Sequence, residues 1–125
     1  MRLLLDSHVI VWWSVYPSRL RTATREALIA TENEVFLSAA SVWELGLKIA
    51  RQKLRLPPDY AERLLADGMD ELPVSILHAT RAMNLPPLHG DPFDRLLIAQ
   101  ALEEGLVLVT SDREIVRYDV PTLEA

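Results

Sequence analysis

The chain has no cysteine and only four glycines. No apolar stretch approaches the length needed to cross a bilayer, so no membrane association is expected. Without thiols there are no disulfides and no thiolate metal ligands, and a reducing, cytoplasmic setting is the natural expectation. With so few glycines there is neither a Gly-rich phosphate loop nor a G-x-S-x-G nucleophile turn. Positive charge is also short. Thirteen Lys and Arg stand against eighteen Asp and Glu, a net of −5, which argues against passive coating of nucleic acid by a basic surface. An acidic protein acts on a polyanion only where bound cations and a local basic patch neutralise it.

What is present is ordinary for one compact domain. Half of the 125 residues are hydrophobic and a quarter are charged, enough for a real core but too short a chain for two. The opening MRLLLDSHVIVWW is apolar but broken by Asp6 and His8, and no small-residue cleavage site follows it. Three apolar runs, Leu3–Leu5, Val35–Leu37 and Leu106–Val109, read as strands covered on both faces. A fourth, Leu72-Pro73-Val74, reads as an edge strand because of its proline. Helical patterns fill 8–15, 19–31, 40–53, 59–68, 75–84, 92–104 and 112–117. This alternation predicts a doubly wound α/β fold with a parallel sheet and no internal repeat or linker.

In such sheets function gathers at the carboxyl ends of the strands. The first strand stops at Asp6, and the last turns through Thr110 and Ser111 into Asp112. The second leads into a helix that carries Glu44 in its second turn. In GDPFDRLLIAQA, Asp91 followed by Pro92 reads as a helix start. Asp94 falls three residues later, one turn ahead of Ile98 and so on the sheet-facing side. Each acid alone has a plain reading. Asp6 or Ser7 caps a helix, Ser111 and Glu114 form an S-x-x-E capping box, and Glu44 pairs with Lys48. Four carboxylates converging on one edge would repel unless cations neutralised them, and all-oxygen ligands suit Mg²⁺ or Mn²⁺. His8 and His89 are read as packing or hydrogen-bonding residues outside the site.

The order and spacing of LLLDSHV, SAASVWELGLK, DPFDRLLIAQA and LVLVTSD resemble a PIN domain, in particular the VapC-type ribonuclease toxins of bacterial toxin–antitoxin pairs. The resemblance covers the whole of residues 1–125 as a single domain. It implies a central parallel sheet flanked by helices and an acidic quartet of Asp6, Glu44, Asp94 and Asp112 as metal ligands and catalytic groups. Ser111 matches a small polar position beside the last acid, and it and Asp91 are auxiliary candidates. The resemblance further implies Mg²⁺- or Mn²⁺-dependent endoribonuclease activity, a homodimer, and a VapB-type antitoxin that blocks the site. Ions held by carboxylates would activate water and offset charge on the attacked phosphate.

For RNA binding, Lys48 and Arg51 fall on the Glu44 side of their helix and are the favoured phosphate contacts. Arg21 and Arg25 form a weaker pair. The tryptophans of the IVWW run, Trp12 and Trp13, are expected to pack or meet a second copy rather than stack on bases. Two alternatives stay open. One is a small phosphatase or phospho-acceptor domain using Asp6, which would want a second acid adjacent to it or at the position His8 occupies. The other is a non-catalytic PIN-like binding module, against which the intact quartet counts.

Overall fold

The computed structural model describes all 125 residues. Five strands, β1 (Arg2–Leu5), β2 (Glu34–Ser38), β3 (Asp70–Leu72), β4 (Val107–Thr110) and β5 (Thr122–Glu124), form one sheet in the order β3-β2-β1-β4-β5. Every pairing is parallel. The Leu-Leu-Leu run of β1 lies at the centre and is fully buried, as expected of a strand with helices over both faces.

Because side chains alternate across a strand, neighbouring leucines serve different cores. Leu3 and Leu5 join Val9, Ile10, Val35, Leu37 and Leu45 on one face. Leu4 joins Leu97, Ile98, Leu106, Leu108 and Ile115 on the other. The first core is roofed by α1 (Ser7–Val15), α2 (Thr22–Ile29), α3 (Ala39–Ala50) and α4 (Tyr60–Ala66). The second is roofed chiefly by α6 (Pro92–Glu104) and the short α7 (Arg113–Val116), and α5 (Ile76–Met83) packs against α6. Helix α6 ends at Gly105, whose φ of 65° is the left-handed conformation that stops a helix.

From β1 the chain adds strands to one side, β2 then β3, and afterwards to the other, β4 then β5. The order therefore reverses between β1 and β4, which is where crevices open in sheets of this kind. Asp6 follows β1 and Thr110 ends β4, at this point.

Three expectations shift. The edge strand is Asp70–Leu72 rather than 72–74, because Pro73 has no N–H and ends the pairing. The helix expected over 19–31 is a 3₁₀ turn at Pro17–Arg19 followed by α2 from Thr22. Strand β5 was not expected at all.

Candidate active site

Three acids meet at the reversal point. Carboxylate oxygens of Asp6, Asp94 and Asp112 lie within 4.8 Å of one another. Each stands at a helix start. Asp6 is the N-cap of α1, Asp112 the N-cap of α7, and Asp94 lies in the first turn of α6. Helix N-termini carry partial positive charge, which offsets some of the repulsion among the carboxylates. None of the three has a lysine or arginine partner; their only ion-pair neighbours are histidines.

Asp6 is held on every side. Its Oδ1 accepts the backbone N–H of Ser7 at 2.7 Å. Its Oδ2 accepts the Thr110 hydroxyl at 2.7 Å and lies 3.3 Å from His8 Nδ1. His8 Nε2 accepts the backbone N–H of Ser111 at 3.0 Å, so the ring proton belongs on Nδ1, facing Asp6. Burial pushes the Asp6 carboxyl above its ordinary range, against the lowering effects of His8, Thr110 and the Ser7 N–H.

Asp94 is 8% exposed. Its Oδ2 lies 3.1 Å from His89 Nε2. Burial pushes its carboxyl up to about 7, the His89 hydrogen bond pulls it down, and Asp6, Asp91 and Asp112 add to the rise. Asp91 is the exposed N-cap of α6, its Oδ1 accepting from the N–H groups of Phe93 at 2.9 Å and Asp94 at 3.0 Å.

Glu44 stands outside the trio. Its Oε1 accepts the hydroxyl of Ser7, the residue beside Asp6, and its Oε2 lies 3.5 Å from Lys48 Nζ. The fourth acid therefore joins the others through a serine hydroxyl. Arg51 is exposed at the end of α3 and forms no side-chain hydrogen bond or ion pair. The expected capping box at Ser111 is corrected: Asp112 itself caps α7 through the Glu114 N–H at 2.9 Å. Ser111 instead presents its N–H to His8.

Trp12 meets His8 edge to face at 4.9 Å between centroids and shares a shallow depression with His8, Ser111 and Asp112. Both Trp12 and Trp13 are half-buried against the first core. Arg21 pairs with Glu124 at 2.9 Å, and Arg25 with the hydroxyl of Thr22, so that pair has structural partners.

His8 and His89 are the hydrogen-bonding residues their sequence reading expects, but both, with Thr110, lie against the acids rather than apart from them. A histidine two residues past a strand-end acid lies in the first helical turn, within reach of it, and that signal was available for His8. His89 is tied in by Tyr118, 29 residues away, which no local pattern announces.

Residues 3–121 match the family described as PIN domain. The chain belongs to that family. This PIN domain is 37% identical over 115 residues to Ribonuclease VapC22 of Mycobacterium tuberculosis, spanning 90% of this chain and 88% of that protein. Its fold is similar to that in VapBC2 from Rickettsia felis bound to a promoter DNA fragment, with a TM-score of 0.76, 16% identity and 98% of each chain covered. Likewise it matches DNA-bound VapBC from Salmonella typhimurium, with a TM-score of 0.71, 17% identity, and 99% and 97% of the two chains covered. FitAcB from Neisseria gonorrhoeae gives 0.65 at 22% identity, covering 98% and 96%. At these identities the structural likeness is one of fold.

Proposed function

We propose that this PIN domain is a divalent-metal-dependent endoribonuclease, the toxin of a type II pair, held in check by a VapB-type antitoxin in the cytoplasm and active as a homodimer. One observation carries the reading: three buried or half-buried carboxylates converge without a lysine or arginine among them. Such a group is costly unless a cation is shared between its members. The donor set is oxygen only, which fits Mg²⁺ or Mn²⁺ and not a thiolate- or imidazole-seeking metal. The relationship to Ribonuclease VapC22 supports RNA as the substrate. No helix of the chain is long and apolar enough to cross a membrane.

Asp6, Asp94 and Asp112 would hold the ion. When bound, it would activate water for attack on phosphorus and offset charge on the phosphate. The chain's own residues define where that happens. Thr110 and the Ser7 N–H fix Asp6, and Ser7 links Glu44 to the same edge. Lys48, in the last turn of α3, and Arg51, just past its end, supply positive charge for the RNA backbone. The test is cleavage of a structured RNA by the purified protein with Mg²⁺, with Mn²⁺ and with EDTA. Metal-dependent internal cuts that vanish in Asp6→Asn support the reading, whereas cleavage indifferent to EDTA, or no cleavage in the antitoxin-free protein, contradicts it.

A further inference from the structure

We infer that His89 is a positioning residue for this site, locked by Tyr118 into the tautomer that carries its proton on Nε2 and thereby holding Asp94 Oδ2. The donors around one hydroxyl fix the tautomer. Tyr118, 5% exposed, has two acceptor positions and one hydrogen. Its oxygen accepts from Arg95 Nη1 at 3.1 Å and from the backbone N–H of His89 at 3.3 Å. Both donors are permanent, since neither a guanidinium nor a peptide N–H gives up its proton in the protein. The hydroxyl hydrogen is left to donate, and its near partner is His89 Nδ1 at 2.7 Å, against 3.5 Å to the His89 carbonyl. With Nδ1 accepting, the neutral ring carries its hydrogen on Nε2, which faces Asp94 Oδ2 at 3.1 Å.

The far end of the chain of bonds is anchored. Arg95 spends three more of its N–H groups on the carbonyls of Ala82, Leu85 and Pro86, at 2.9, 3.0 and 2.8 Å. It thereby ties the end of α5 to the start of α6. Arg117 holds the same loop through the Leu88 carbonyl at 2.9 Å. The order Arg95, Tyr118, His89, Asp94 is thus directional, every hydrogen pointing toward the acid. A hydrogen-bonding partner of this kind orients the carboxylate that would hold the ion. His8 plays a similar part for Asp6, but through a bare backbone N–H rather than a buried relay.

The role of the relay rests on the ribonuclease reading; the tautomer does not. Long-range ¹H–¹⁵N NMR of the metal-free protein reads the tautomer directly, with Nε2 protonated and Nδ1 bare as the expected result and the reverse assignment overturning the lock. Mn²⁺ affinity by calorimetry and RNA cleavage then compare His89→Ala, His89→Gln and Tyr118→Phe. Gln carries an N–H near the place of Nε2, so it should recover most of what Ala loses. Loss of such a supporting partner weakens metal binding by about 10–100-fold, and kcat should fall while KM for RNA stays. Wild-type Mn²⁺ affinity in His89→Ala, or a Gln variant as poor as Ala, would overturn the role of His89 alone. A wild-type protein that neither binds Mn²⁺ nor cleaves RNA would overturn the ribonuclease reading and this role with it, leaving the NMR result to stand or fall separately.

Discussion

The hydroxyl of Thr110 donates to Asp6 Oδ2 at 2.7 Å and accepts the backbone N–H of Asp112 at 3.0 Å. One side chain at the end of β4 thus joins the acids that follow two neighbouring strands. Thr110→Val keeps the shape and removes both bonds, leaving a buried carboxylate oxygen and a backbone donor short of partners. Urea denaturation should show a loss of about 1–3 kcal/mol, and Thr110→Ser should recover most of it. A Val variant as stable as the wild type would mean that water replaces the hydroxyl.

The raised carboxyl of Asp94 makes metal-free stability depend on pH with a defined sign. Its ordinary value is 3.8 and burial lifts it to about 7, so between these values the folded chain keeps a proton that the unfolded chain has released. Stability from this group is full below the lower value and is lost as pH rises through the upper one. Asp6, raised in the same sense, adds to the slope. Mg²⁺ competes with those protons, so the gain in Tm on adding saturating Mg²⁺ should grow steadily as pH rises through the same window. At a hundred times its Kd the ion should contribute about 2.7 kcal/mol. A gain in Tm independent of pH would place the ion elsewhere.

Asp91 and Asp94 lie three residues apart and do different work. Asp91 caps α6 from an exposed position, so Asp91→Ala should cost about 1 kcal/mol and Asp91→Asn should restore most of that. Metal-dependent cleavage should change little in either. Cleavage abolished in Asp91→Asn at normal stability would assign chemistry to the cap.

Much of this was legible because buried parallel strands announce themselves as short apolar runs. Strands β1, β2 and β4 stand where Leu3–Leu5, Val35–Leu37 and Leu106–Val109 predict them, give or take the terminal residues. The α6 start at Asp91-Pro92 was legible too, since cap and proline chemistry is local. What was not legible is long-range or short. Strand β5 is three residues with one apolar side chain, held at the sheet edge by β4. The cap of α7 is Asp112 rather than Ser111, whose hydroxyl goes to the Ala125 carbonyl and whose N–H goes to His8, 103 residues away. Convergence of Asp6, Asp94 and Asp112 could be argued from strand order, but the standing apart of Glu44 behind Ser7 is a matter of side-chain reach.

Arg51 and Lys48 separate on their partners. Lys48 is already engaged with Glu44, whereas Arg51 has no partner to release. Arg51→Ala should raise KM for RNA with kcat unchanged and flatten the salt dependence by about one phosphate contact. Lys48→Ala should act more weakly on binding. An unaltered salt slope in the double variant would return both to solvated surface.

The measurement that bears most directly on the acidic trio is Mg²⁺-dependent RNA cleavage by Asp94→Asn, paired with its metal-free melting temperature. The substitution keeps the side chain's shape and removes one charge from among Asp6, Asp94 and Asp112. Relief of repulsion should leave the metal-free variant at least as stable as the wild type, while cleavage falls by orders of magnitude as a charged ligand is lost. Near-normal cleavage by a stable Asp94→Asn would contradict the assignment of this trio as the metal centre.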